Sequence, residues 1–298
     1  MNYILNIIAT SIRMSIPLGY AAIGGAISEF SGIVALGLEG FMTIGAFTGI
    51  VGAYYSGSAW VGVLTAMLAG VLFALVFGVF CIRYQSNQVV AGVGMNIIAE
   101  GLVSVLMISI FGSKGKSAIV TALPEIHIPV LKDIPILGTI FSGYSGLAYL
   151  LILVMVAAWI IIYKMPIGIR LRATGINETV VDSLGLRANL IKYVAVMVCG
   201  GLSALGGVFL SLSQLNFYSK DMVAGRGYIA LAIFVFAKKN PIYCMLVSIL
   251  FGLTETIQLR MQVLPIPTQF LSMIPYLCTL IMLLCTVRSK KKKRKEYV

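Results

Sequence analysis

The sequence predicts an all-α integral membrane protein, a polytopic bundle of about nine transmembrane helices with some short or broken, and three observations carry that expectation. Of the 298 residues, 59% are apolar and only 11% are charged, too few polar side chains to cover a soluble globule of this length. Apolar runs of about 20 residues, the length that crosses a bilayer, recur along nearly the whole chain. The 22 basic residues, against 10 acidic ones, fall in short polar breaks between those runs. The net charge of +12 therefore reads as membrane orientation and not as a nucleic-acid surface.

Taken in order, the spans are expected near 3–27, 31–55, 59–81, 88–112, 145–163, 190–213, 241–260 and 267–287. The first has no basic residue ahead of it and carries Arg13 in its middle, so it is read as a retained span and not as a cleaved leader. The third carries Ala66, Gly70, Ala74 and Gly78 at four-residue spacing, a seam of small side chains that lets a neighbouring backbone approach. Gly24, Gly25, Gly200, Gly201, Gly206 and Gly207 are assigned to the same kind of packing. A Gly-, Pro- and Ser-rich connection over 113–143 and a charged one over 164–189 are the two long breaks. A ninth segment, 222–237, is short and begins Gly225-Arg226-Gly227, which suits a half helix buried among others. The five cysteines, Cys81, Cys199, Cys244, Cys278 and Cys285, lack metal or redox spacing and are expected to be free thiols.

Orientation follows from the cations. Arg83, the set Lys164, Arg170, Arg172, Arg187 and Lys192, the pair Lys238 and Lys239, and the tail Arg288–Lys295 share one side, which the positive-inside rule makes the cytoplasm. The C-terminus is then cytoplasmic and, with nine spans, the N-terminus lies outside. A weak internal repeat agrees: Ala22-Ile23-Gly24-Gly25 followed by Gly37-Leu38-Glu39-Gly40-Phe41 is echoed by Ala204-Leu205-Gly206-Gly207 and Gly225-Arg226-Gly227-Tyr228. Five spans separate the copies, so the second crosses the membrane in the opposite sense, an inverted repeat.

Ionisable groups in apolar segments each cost at least about 2.5–3.5 kcal/mol to bury, and Glu39, Glu100, Arg226 and Glu255 are the cases here. The repeat puts Glu39 and Arg226 at equivalent positions with opposite charge, so a pair between them is expected, while Glu255 is read as snorkelling to an interface. Asn96 and Glu100, one turn apart, share a helix face that either lines a polar path or bonds to another helix. Phe217 and Tyr218 are further path candidates, or else members of an interfacial aromatic belt.

The 164–189 loop contains Arg172-Ala173-Thr174-Gly175-Ile176-Asn177-Glu178, where Asn177 can cap a helix, Glu178 complements its positive end and Gly185 stops it. About two turns with an apolar stripe of Val180, Val181 and Leu184 are unstable alone, so this helix docks on something: the protein's own surface or a soluble partner. Gly115-Lys116-Ser117 is no phosphate loop, because Ile110 stands where the leading glycine belongs. Asn177-Glu178-Thr179 fits a glycosylation acceptor, but on the cytoplasmic side. With a single histidine, His127, there is no catalytic constellation or metal cluster, and no enzyme is expected. The tail over 288–298 is read as a topology determinant.

Over nearly its whole length the sequence resembles the membrane permease subunits of bacterial ATP-binding-cassette importers, in the branch that takes up simple sugars and nucleosides. The likeness rests on Ser31-Gly32-Ile33 through Gly37-Leu38-Glu39-Gly40 with Gly45-Ala46, on Arg172 to Glu178 with Gly185, on Gly225-Arg226-Gly227-Tyr228-Ile229-Ala230-Leu231-Ala232, and on Asn240-Pro241 and Phe251-Gly252-Leu253. It implies a single permease domain over 1–298 whose 164–189 loop holds a coupling helix, with Ala173, Gly175, Asn177, Glu178 and Gly185 facing a cassette ATPase. It also implies a second permease subunit, an external solute-binding protein and ATP bound only by the partner ATPase, so this chain needs no cofactor of its own and no nucleic acid. The Gly-Leu-Glu-Gly and Gly-Arg-Gly-Tyr stretches resemble nucleoside-type members more than ribose-type ones. Ala35 stands where relatives commonly carry asparagine, so the resemblance carries no substrate role over to that position. The implied location is the bacterial cell membrane, and the implied path is drawn from Glu39, Asn96, Glu100, Phe217, Tyr218 and Arg226. The competing class is an ion-coupled secondary transporter in which Glu39, Glu100 and Glu255 bind protons or sodium. A purely structural scaffold leaves the intramembrane charges without a purpose.

Overall fold

A computed structural model describes residues 2–126 and 143–262, together with 270, 271, 273–275, 277–280 and 282. The chain forms helices α1 (Asn2–Phe30), α2 (Leu38–Ser56), α3 (Ala59–Gly78), α4 (Gln88–Phe111), α5 (Gly146–Lys164), α6 (Pro166–Ile176), α7 (Glu178–Ser183), α8 (Ala188–Val208), α9 (Arg226–Phe236) and α10 (Pro241–Met261). Helix α3 runs on into a π-helical turn at Val79–Arg83, and α8 into one at Phe209–Leu215. Two short strands, β1 (Glu125–Ile126) and β2 (Tyr144–Ser145), pair antiparallel beside the start of α5. Among the described residues six helices are long and apolar enough to cross a membrane: Leu5–Phe30, Ala59–Arg83, Gln88–Phe111, Gly146–Lys164, Ala188–Leu215 and Pro241–Met261.

Helix α2 falls outside that group for a physical reason: nearly all of its first three turns, from Leu38 to Ala46, are buried by protein, so it does not need the apolarity of a lipid-facing rod. It also begins later than the expected span at 31, because Gly32 turns left-handed (φ 90°) just after α1 ends, and Ser31–Gly37 is a non-helical link. The segment 222–237 is the short element its glycines suggested, with only Arg226–Phe236 helical. The expected span 267–287 lies largely outside the described residues, as do His127, Lys132, Asp133, Cys285 and the basic tail. Cys81, Cys199, Cys244 and Cys278 are free thiols.

The bundle is built around α8, whose spanning window is 78% buried and which packs against α1, α2 and α3. The seam on α3 is the reason it can come so close: a Cβ on Gly70 would lie 2.6 Å from the carbonyl oxygen of Gly200 on α8, so the two backbones touch. Ala66 and Ala74 on the same stripe are fully buried. On α4 and α5 only 28% of the spanning window is buried, and the outward faces of α3 (Leu64, Leu68 and Leu72) and α4 (Val90, Ile97 and Val105) are exposed and apolar, as a lipid-facing surface must be.

The link 164–189 contains two helices where the sequence suggested one. Pro166 opens α6 at its first turn and Asn177 separates it from α7. This link docks on the end of α1: a Cβ on Gly175 would collide with the carbonyl oxygen of Phe30, and the Phe30 and Tyr163 rings meet edge to face at 6.5 Å. Lys239, after α9, pairs with Glu29 at 3.3 Å and lies over the same Phe30 ring. The cations of 164–192 and of 238–239 therefore share one end of the bundle.

Candidate functional site

Two helices begin inside the bundle, and their N-termini come together. At α9, Gly225 stands in the left-handed region (φ 81°) and carries no capping side chain, so the orphan amides at this helix start need an acceptor from elsewhere. Glu39, the second residue of α2, supplies it. Its Oε1 accepts from the Gly225 amide at 2.8 Å and its Oε2 from the Gly227 amide at 2.7 Å. Only a glycine fits at 227, since a Cβ there would strike the backbone of Glu39. The carboxylate thus sits on the positive end of the α9 dipole, 8% exposed. The start of α2 is served in the same way from α4, where Asn96 Oδ1 accepts from the Gly40 amide at 2.8 Å. Asn96 Nδ2 donates to the Leu36 carbonyl at 3.2 Å and to the Tyr228 hydroxyl at 2.9 Å, closing a network across α2, α4 and α9.

Glu39 and Arg226 do not pair, contrary to the expectation from the repeat. Arg226 Nε lies 3.2 Å from Glu255 Oε2 on α10, and its Nη1 donates to the carbonyls of Met222 and Val223. Glu39 instead faces the amides of Gly225 and Gly227, while the Arg226 side chain turns away to α10 and to its own loop. Nor does Glu255 snorkel: it is 5% exposed and held by this arginine.

The remaining candidates distribute around this junction. A pocket of about 140 Å³ brings Glu39 and Glu100 together with Thr43, Ser104, Tyr218 and Asp221. A second, of about 240 Å³, lies between Arg226, Glu255, Gln258 and Pro275. Asn96 and Glu100 part company in spite of their shared face, Asn96 being buried in the network above and Glu100 exposed. Phe217 lies under the Lys116 ammonium, 5.5 Å from the ring centroid. Tyr218 is buried edge-on against Phe47 at 5.6 Å, and burial pushes its phenol above the ordinary range, with Asp221 and Glu100 adding to the rise. No signal near Phe217 or Tyr218 in the sequence announces what fixes these two rings. The backbone after α4 lies along the loop after α8, with Ser117 N donating to Tyr218 O at 3.0 Å and Lys220 N to Gly115 O at 3.0 Å, a pairing between segments about a hundred residues apart. Among the described residues no group of three His, Cys, Asp or Glu side chains is gathered to hold a metal ion.

The other distinctive element is α7. Asn177 Oδ1 accepts from the Thr179 amide at 3.1 Å and the Val180 amide at 3.3 Å, and Gly185 turns left-handed (φ 78°) to end it. Of the expected apolar stripe only Val181 packs inward, whereas Val180 and Leu184 are exposed. Ile176, just before the cap, is 87% exposed. Glu178 forms an ion pair with Lys192 on α8, and the Asn177 amide donates to the Ala173 carbonyl, joining α6 to α7. The result is a short capped helix tied to α6 and α8, with three aliphatic side chains exposed in and beside it.

Residues 7–284 match the family described as branched-chain amino acid transport system / permease component. Among curated proteins, the nucleoside ABC transporter permease protein NupC of Lactococcus lactis is 34% identical over 95% of this chain and 92% of its own length. The guanosine ABC transporter permease protein NupQ of Bacillus subtilis is 34% identical over 93% of this chain and 90% of its own. In fold the chain is similar to a metal-chelate type ABC transporter solved in an inward-facing conformation, with a TM-score of 0.55 at 13% identity, covering 92% of this chain and 85% of that one.

Proposed function

The chain belongs to the branched-chain amino acid transport system / permease component family and is the multi-pass permease subunit of an ATP-binding-cassette importer; from that premise we propose that its cargo is a nucleoside and that α7 is its coupling element. Support for the cargo comes from the two relatives above, whose names carry nucleoside and guanosine transport. Such permeases work with ATPase subunits and an external binding protein, and we place the ATPase contact at α7, with the bundle end that carries it facing the cytoplasm.

The observation that carries the coupling reading is the combination at Ile176–Gly185. A two-turn helix is too short to persist by itself, yet this one is capped at both ends, anchored by Glu178 to Lys192, and turns Ile176, Val180 and Leu184 away from the protein. Exposed aliphatics on a rigid knob fit a partner's groove. Gly175 transmits any push on that knob directly to the backbone end of α1, which contacts α8, α9 and α10. We place the cargo path beside the junction of α2, α4 and α9, with Glu39, Asn96 and Arg226 as its positioning groups and Glu100, Phe217 and Tyr218 nearer the solute. A second copy or a related permease completes the unit.

The test is affinity capture of the permease co-expressed with the cassette ATPase and binding protein. Wild type retains the ATPase; Leu184→Asp, which leaves the Glu178–Lys192 pair intact, and Glu178→Arg both lose it. Full retention by both variants overturns the assignment of α7.

A further inference from the structure

A groove of about 510 Å³ runs between the last turns of α5, the exposed side of α6, residues 185–187 and the first three turns of α8. Its walls are apolar, Ile161, Leu190, Val194 and Val198 among them, and each of these four is exposed. From Arg187 to Val198 it follows α8 for about 16 Å at 1.5 Å per residue, about the depth of one leaflet of a 30 Å hydrocarbon core. The two charged residues that line it are Arg170 and Arg187, at the end where the apolar helices meet the charged link.

Those two arginines are set apart from the other cations of the link. Lys164 lies over the Trp159 ring, Arg172 over Tyr163 while donating to the Gly168 carbonyl, and Lys192 holds Glu178. Arg170 and Arg187 are exposed, and neither has an acidic partner among the described residues. A leaflet-deep apolar slot, open towards the lipid-facing surface and ending in two uncompensated guanidiniums, is complementary to one kind of molecule. We infer that it binds an anionic glycerophospholipid, one acyl chain along α8 and the phosphate between Arg170 and Arg187. Guanidinium is the group suited to this, because its fork meets two phosphate oxygens at once, and basic sites between helices at the cytoplasmic interface bind anionic headgroups. A convex apolar face would take any lipid; the charge at the groove's end selects the headgroup.

The test is native mass spectrometry of the full-length permease released from detergent after titration with phosphatidylglycerol or phosphatidylcholine, a readout independent of cargo and of ATPase coupling. Wild type should retain one phosphatidylglycerol per chain with a preference over phosphatidylcholine of roughly tenfold to thirtyfold. Arg170→Gln/Arg187→Gln should abolish the preference while leaving the apolar wall, and Val194→Trp should expel the lipid while leaving the arginines, both with an unchanged size-exclusion profile. Equal retention of the two lipids, or a phosphatidylglycerol preference that survives either variant, overturns the inference. So does a wild-type dimer, free of retained lipid, that Val194→Trp dissociates, because the groove would then be filled by a second copy.

Discussion

Replacing Glu39 removes the acceptor on which the start of α9 depends. Two amides, that of half-buried Gly225 and that of buried Gly227, donate to its oxygens at 2.8 and 2.7 Å. A buried donor left without a partner costs about 1–3 kcal/mol, and the half-buried Gly225 amide adds less than that, so Glu39→Ala should cost about 2–4 kcal/mol in all. Glu39→Gln keeps one acceptor oxygen but presents an NH₂ group to the other amide, and should cost about half as much. At about 2–4 °C per kcal/mol for a larger domain, the alanine variant in detergent should melt roughly 4–16 °C below wild type and the glutamine variant in between. Thermal unfolding followed by size-exclusion fluorescence reads both. An alanine variant melting within about 1 °C of wild type, or a glutamine variant no better than alanine, would refute the idea that this carboxylate holds the helix.

Other outcomes follow from the same geometry. Arg226→Met alone should destabilise by about 3–5 kcal/mol by stranding Glu255, and the double variant Arg226→Met/Glu255→Leu should recover most of that loss; a double-mutant cycle between Arg226 and Glu39 should show far weaker coupling. Asn177→Ala should cost about 0.5–2 kcal/mol, localised to α7 and visible as faster amide hydrogen exchange at Thr179 and Val180. Gly207→Val should block assembly of the bundle, because a side chain there runs into the Met42 carbonyl, whereas Gly94→Ala, with nothing within 4 Å, should be neutral or stabilising in melting experiments.

The elements whose signal is local were legible in the sequence. The spans at 59–81, 88–112 and 241–260 match α3 with its π turn, α4 and α10 closely, since apolar length and a flanking cap fix them: Asn87 caps α4 and Asn240 caps α10 through their own side chains. The Asn177 cap and the Gly185 stop were readable for the same reason. What escaped was decided by distant partners. Nothing near Glu39 announces that amides 186 and 188 residues away will take both its oxygens, and periodicity cannot show that Arg226 will turn to Glu255. Helix α6 was missed because its composition is only weakly apolar; Pro166 at its start was the available clue. Asn96 and Glu100 show the limit of face arguments: one side of the turn is covered by α2 and α9, the other is not.

The central claim is that this chain moves a nucleoside only under the power of a separate ATPase. The direct measurement is uptake of labelled guanosine into proteoliposomes, comparing the permease alone under an imposed proton or sodium gradient with the permease, cassette ATPase and binding protein supplied with ATP. The account predicts accumulation in the complete system that stops when ATP is withheld, and none by the permease alone. Gradient-driven accumulation by the permease alone would contradict it and make the chain an ion-coupled carrier.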